Sequence, residues 1–152
     1  MRVRLIRQED IEPMIDLARD MHKESPVYRD IPFSDAAMRG WFTASVEKSG
    51  EYFCAVIEDA GAIVGAMLAL AAPVLFSEVK AAYEMGLYVY PKYRGTGAAW
   101  RLYAYFEKWA KTENCGFGLI GVSAGVNDDV GVRFYKRLGY DPAGVSMRKE
   151  LK

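Results

Sequence analysis

The chain has 152 residues, a length suited to one folded domain, and 51% of them are apolar, enough for a sizeable core. Lysine and arginine number 20 and aspartate and glutamate 20, so no net field recruits nucleic acid or an anionic membrane surface. Any anionic ligand has to be held by local geometry.

Residues 2–7 alternate Val3 and Leu5 with arginines, the pattern of an edge strand with one wet face. They lack the 7 to 15 residue apolar run of a signal peptide, so a cytoplasmic protein is expected. Residues 8–23 predict a helix, because Ile11, Met14, Ile15, Ala18 and Met21 recur at three- and four-residue spacing. It ends before Ser25-Pro26, since a residue preceding proline is pushed out of helical geometry. His22, the only histidine, falls in the last turn, where a cation suits the helix dipole, and it reads as a wet side chain. Residues 25–33 are irregular and carry Tyr28, Arg29 and Phe33, long enough to line part of a pocket. Ser34 or Asp35 caps a second helix running to about residue 48.

Three strands follow, at 52–58, 63–72 and 81–90, rich in branched and aromatic residues and forming a meander. Asp59-Ala60-Gly61 makes the hairpin turn between the first two. Residues 60–76 are uncharged and mostly apolar, but Pro73 breaks them and they fall short of the roughly 20 residues that cross a bilayer, so a buried strand and turn are expected, not a membrane span. Cys54 and Cys115 are too few for a disulfide framework and read as reduced, packing thiols. With one histidine and no clustered carboxylates or cysteines, no metal site is expected.

After Pro91 the apolar period changes. Leu102, Tyr105, Phe106 and Trp109 mark a helix over 97–113, followed by a strand at 117–123, a helix at 128–138 and a final strand at 144–151. The order β-α-α-β-β-β-α-β-α-β is that of a mixed α/β (α+β) domain, an antiparallel first half joined to a strand–helix–strand–helix half. No repeat or linker interrupts it, so one domain over residues 1–152 is expected.

Between the third meander strand and the next helix lies Leu87-Tyr88-Val89-Tyr90-Pro91-Lys92-Tyr93-Arg94-Gly95-Thr96-Gly97-Ala98-Ala99. Gly95 and Gly97 let the backbone turn sharply and approach a ligand, while the free amides and positive dipole end of the helix face the same spot. A pyrophosphate suits such a site. A P-loop is excluded because no lysine followed by serine or threonine comes after the glycines. A dinucleotide fingerprint fails because Trp100 stands where the third glycine is needed and residues 117–123 end in no acid.

The segment resembles the acetyl-CoA signature R-x-x-G-x-A of the GNAT acetyltransferase superfamily, met by Arg94, Gly97 and Ala99. GNAT proteins share this order of elements, a central mixed, mostly antiparallel sheet flanked by helices, with the signature between the fourth strand and third helix. The resemblance implies that the backbone amides of Arg94, Gly95, Thr96, Gly97, Ala98 and Ala99 hold the pyrophosphate of acetyl-CoA. It also implies that main-chain groups of Leu87, Tyr88 and Val89 pair with the pantetheine arm as an added strand would, and that an amide near Val89 polarises the thioester carbonyl.

Phe134-Tyr135-Lys136-Arg137-Leu138-Gly139-Tyr140 resembles the family's helix-ending segment, whose tyrosine lies beside the CoA sulfur. Tyr135 is therefore the general-acid candidate: a phenol of pKa near 10 can protonate a departing thiolate without being ionised at neutral pH. The family's asparagine, seven residues earlier, is replaced by Asp128, and Asn127 stands one residue before it. Asn127 reads either as a CoA contact or as the cap of the helix, with Asp128 and Asp129 in its first turn. Glu84, alone among uncharged neighbours in its strand, resembles the glutamate that some GNAT members use as a base, directly or through water. Gly121-Val122-Ser123-Ala124-Gly125 matches G-x-S-x-G superficially but lacks a histidine partner.

The resemblance thus implies an N-acetyltransferase that moves the acetyl group of acetyl-CoA to a primary amine. Tyr28 and Phe33 are expected to contact a small-molecule amine; an open acidic groove would point instead to a lysine or N-terminus of a protein, and a closed pocket lined by Tyr28, Phe33 and Trp41 would oppose that. A domain that binds CoA without turnover is the non-enzymatic alternative. Small GNAT domains often pair, so a homodimer is also expected.

Overall fold

A computed structural model describes residues 1–151. Its centre is the strand β2 (Tyr52–Asp59), in which Phe53, Ala55 and Ile57 on one side and Cys54 and Val56 on the other are fully buried. A strand covered on both faces reads as a continuous apolar run, as this one does. β1 (Arg2–Leu5), β2, β3 (Ala62–Pro73) and β4 (Lys80–Val89) form antiparallel pairs in chain order, and β5 (Cys115–Leu119) joins β4 in parallel. The β2–β3 turn puts Ala60 and Gly61 at φ of 48° and 83°, the positive pair of a two-residue type I′ hairpin.

Helices α1 (Ile11–Glu24) and α2 (Asp35–Glu47) cover one face. Met14, Ile15 and Phe42 meet Cys54, Val56, Ala66 and Tyr88 there. α3 (Ala98–Thr112) and α4 (Asp128–Arg137) lie on the other face, where Leu102, Tyr103, Phe106, Trp109 and Tyr135 pack on Phe53, Ala55, Ile57 and Met67. α3 is the crossover that parallel pairing of β4 and β5 requires. The expected fold class is the one observed: a five-stranded mixed sheet between two layers of helix.

Three local expectations need correction. Arg4 does not face water: its guanidinium donates to both carboxylate oxygens of buried Asp10, at 2.5 and 2.9 Å, and through Nε to Glu58 at 2.8 Å. β5 spans Cys115–Leu119 instead of 117–123, and residues 120–126 form a loop. The strand expected at 144–151 is absent: residues 141–151 have no regular structure. Val145 and Met147 supply the alternation of a strand, but a strand also needs a ladder partner; with none, both side chains stay in solvent.

Candidate active site

The sequence around Pro91 builds an anion cradle at the end of β4. A single 3-10 turn, Pro91–Tyr93, is followed by Gly95 and Gly97 at φ of +80° and +84°, and α3 begins at Ala98. A Cβ built on either glycine would meet nothing within 4 Å, so open space lies directly over the turn. The first helical acceptor, the Gly97 carbonyl, takes the Arg101 amide at 3.1 Å. The amides of Gly95, Gly97, Ala98 and Ala99 therefore donate to no protein carbonyl among the described residues, the free-donor set of a helix start. Those of Arg94 and Thr96 point inward, to the carbonyls of Pro91 at 3.2 Å and Tyr93 at 3.4 Å. The Thr96 hydroxyl also turns back to the Tyr93 carbonyl, at 2.6 Å, and the Ala98 methyl is buried, so neither side chain lines the cleft.

Arg94 is committed elsewhere. Its guanidinium makes a two-pronged pair with Glu24, both contacts at 2.7 Å, its Nε donates to the Val89 carbonyl at 2.9 Å, and it lies over the Tyr88 ring. The Tyr88 hydroxyl donates to the same Glu24 at 3.0 Å. Bidentate pairing is the strong form of an arginine–carboxylate contact, and it holds the Glu24 carboxyl below the usual carboxylate range. Arg94 thus ties the turn to α1, and the Tyr88 side chain serves the α1 face of the sheet.

The sheet opens next to this cradle. β4 pairs with β5 only from Lys80 to Tyr83, while its pairing with β3 continues to Val89. The Tyr90 amide donates to the Val64 carbonyl at 3.0 Å. Antiparallel alternation then turns the polar groups of Tyr88 toward β3 and those of Leu87 and Val89 toward the open side. A cleft of about 570 Å³ fills the wedge between β4, the glycine turn, α4 and the 120–126 loop.

Glu84 stands at the apex of the wedge. It faces Ala69, while Gly86 faces Leu68, so Met85 is the extra residue of a β-bulge, a device that re-aims side chains at the edges of sites. The Gly121 amide approaches the Glu84 carboxylate at 3.4 Å. Burial pushes the Glu84 carboxyl up to about 7, partly opposed by that amide.

Tyr135 lines the same cleft from α4. The helix ends in a Schellman motif: the Tyr140 amide donates to the Tyr135 carbonyl and the Gly139 amide to that of Lys136, both at 3.1 Å, with Gly139 at φ +89°. The Tyr135 ring is set among Phe134, Tyr140 and Tyr103, at centroid distances of 5.1, 6.1 and 6.2 Å. Burial, and then the nearby Glu84 charge, raise its phenol well above the ordinary range. At neutral pH it holds its proton and can only give it.

Asn127 precedes α4 in the left-handed region, at φ 53°. Its carbonyl accepts the Val130 and Gly131 amides, but its side chain makes no capping hydrogen bond. The expected side-chain cap is therefore not formed, and Asn127 lines the cleft beside Asp128. Of the proposed acceptor residues, Tyr28 lines the cleft and Phe33 does not. Phe33 packs against His22, at 5.3 Å, and under Arg19, and Trp41 packs on Tyr52. His22 is half-buried, with Nε2 2.8 Å from the Ile31 carbonyl, so it anchors the loop instead of facing water.

Sequence reasoning missed Met21, Met85, Arg133 and Arg137, which also line the cleft. Arg133 and Arg137 are one helical turn apart and make no ion pair among the described residues. Their i, i+4 spacing was the available signal; nothing in a single sequence marks the two methionines. Among the described residues no group of three metal-ligating side chains occurs, and no helix is long and apolar enough to cross a membrane.

The family model for the acetyltransferase (GNAT) family matches residues 12–140, most of the chain. The chain belongs to the GNAT acetyltransferase family. It is thus an acyltransferase, of a family that uses acetyl-CoA. Among solved structures, this GNAT chain is similar to a Trypanosoma brucei acetyltransferase, at 18% identity and TM-score 0.74 with 99% of each chain covered. It is similar to AAC(6')-Iy in complex with the bisubstrate analog CoA-S-monomethyl-acetylneamine, at 14% identity and TM-score 0.78, covering 99% of this chain and 97% of that one. It is also similar to glucosamine-6-phosphate N-acetyltransferase from Arabidopsis thaliana, at 17% identity and TM-score 0.76, covering 99% and 98%. At these identities the likeness shows the fold. No curated protein matches the sequence at a significant level.

Proposed function

We propose that this chain, as one domain over residues 1–152 acting in the cytoplasm, transfers the acetyl group of acetyl-CoA to the primary amine of a small molecule. The observation that carries the reading is one cleft joining four unpaired amides at a helix start, an open strand edge at Leu87 and Val89, a carboxyl near pKa 7 and a protonated phenol. The pyrophosphate sits on the amides of Gly95, Gly97, Ala98 and Ala99, the pantetheine arm lies along β4, and Arg133 and Arg137 supply cations for the remaining phosphate charge. Asn127 contacts the cofactor arm from the opposite wall.

In the transfer, Glu84 takes a proton from the ammonium, directly or through water, and the freed nitrogen lone pair attacks the thioester carbonyl carbon. The Val89 amide polarises that carbonyl. As the carbon–nitrogen bond forms and the carbon–sulfur bond breaks, Tyr135 gives its proton to the leaving sulfur, and the second proton that the nitrogen sheds on becoming an amide returns to Tyr135 through water. Among the described residues two carboxylates line the cleft, Glu84 and Asp128, which favours a small amine over a basic protein segment. A homodimer is the assembly this reading includes, supported by the exposed Leu75 and Phe76 of the β3–β4 loop.

The test is to incubate the protein with acetyl-CoA and a broad amine panel, following thiol release and identifying the product by mass spectrometry. An N-acetylated amine with stoichiometric free CoA is expected. Acetyl-CoA that binds but is never consumed would instead define a non-catalytic CoA-binding domain.

A further inference from the structure

The two ends of the cleft differ in chemistry. One carries the free amides of the glycine turn and the two unpaired arginines of α4. At the other, beyond Glu84, the lining is Met21, Tyr28 and Met85, with Ser123 and Ala124 on the facing loop. Met85 and Tyr28 line the cleft with 56% and 41% of their surface exposed. The bulge at Met85 turns this side chain outward at the apex of the wedge, and the Met21 methyl lies 3.6 Å from where a Cβ on Gly86 would sit. The wall is fixed: the buried Ser25 hydroxyl donates to the Ala124 carbonyl at 2.5 Å and accepts the amides of Val27 and Tyr28.

Charge at this end is sparse. Glu84 is its only carboxylate, Glu24 being spent on Arg94, and Arg148 adds a cation against the Val27 carbonyl at 2.6 Å. An acceptor with several ammonium groups would need a carboxylate for each that is drawn out of water, and a sugar would need partners for its hydroxyls. Two thioethers offer neither, and the hydroxyls of Tyr28 and Ser123 are too few to satisfy a sugar; methionine and tyrosine favour flat or flexible apolar bodies.

Resting on the acetyl-transfer reading above, we infer that the acceptor is an arylalkyl or alkyl monoamine: its one ammonium goes to Glu84 and its apolar body packs among Met21, Tyr28 and Met85. Polyamines, aminoglycosides and amino-sugar phosphates are poor acceptors.

The experiment compares kcat/KM, at saturating acetyl-CoA, for 2-phenylethylamine and hexylamine against spermidine, neamine and glucosamine 6-phosphate. The two monoamines should lead by about 10²-fold, the scale on which an apolar pocket rejects an added polar group. Met85→Glu, a change on an exposed bulge, should lower kcat/KM for phenylethylamine about 10-fold and raise that for spermidine, and Tyr28→Ala should weaken both monoamines, phenylethylamine about 10-fold through KM, and leave spermidine unchanged. Preference for spermidine, neamine or the sugar phosphate by the unmodified chain overturns the inference. So does calorimetric binding of acetyl-CoA with no turnover of either monoamine, which leaves the cofactor assignment standing; failure to bind acetyl-CoA overturns both.

Discussion

In the proposed transfer two side chains carry the chemistry, and each has a signature of its own. Tyr135→Phe removes only a hydroxyl from a ring held by its neighbours, so kcat should fall about 10²-fold with acetyl-CoA affinity unchanged in calorimetry; undiminished turnover would end its role as acid. For Glu84 the base form is needed, so kcat/KM should rise with pH through about 7, and Glu84→Gln should abolish that rise along with most activity. The same raised value has a sign in stability. A carboxyl that holds its proton more tightly folded than unfolded costs stability as pH climbs from its ordinary range through about 7. The Tm of Glu84→Gln relative to the unmodified chain should therefore be higher at pH 8 than at pH 5. Glu84 and Tyr135 could be singled out because the segments that carry them resemble those of the family, and the structure brings both to one cleft. The places of Phe33 and Trp41 were not legible, because an aromatic in a loop or helix reads the same whether it faces a cleft or a neighbouring ring.

At the scale of elements, the β4–turn–α3 unit sets where phosphate charge can be held. Gly97 needs a positive φ that a β-branched residue adopts only with strain, and the proposed function gives its open side to the pyrophosphate. Gly97→Val should abolish acetyl-CoA binding in calorimetry while far-ultraviolet circular dichroism keeps its helical signal; retained binding would remove the pyrophosphate assignment. The strand–turn–helix order and both glycines were evident from sequence. The fate of Arg94 was not, because its partner Glu24 lies 70 positions away on α1. β5 ended early for a similar reason: β4 bulges at Met85, so pairing stops at Tyr83 and Leu119, a limit set by the partner strand and not by residues 117–123.

At the scale of the whole molecule, the sheet is clamped at one edge and splayed at the other. The clamp is Arg4 with Asp10 and Glu58, which joins β1 and β2 to the start of α1. Removing Asp10 leaves the nearly dry Arg4 guanidinium with Glu58 as its one carboxylate partner and part of its donors unpaired, so Asp10→Ala should cost about 2 kcal/mol in urea unfolding at pH 7. Because Asp10 is held below its ordinary value, first by the Arg4 hydrogen bonds, that difference should shrink as pH falls through the carboxylate range. Five strands and four helices followed from periodicity, since most are covered on the face their pattern names. The sixth strand did not form, because amphipathic alternation specifies a face but cannot supply a neighbour.

The central claim is that the splayed cleft binds acetyl-CoA, and a thermal-shift titration with NAD as comparator tests it most directly. At a hundredfold excess over Kd, a ligand confined to the native state adds about 2.7 kcal/mol, a Tm rise of roughly 5–10 °C for a chain of this size. Acetyl-CoA should produce that rise and NAD none. No rise with acetyl-CoA, or an equal rise with NAD, would contradict the account.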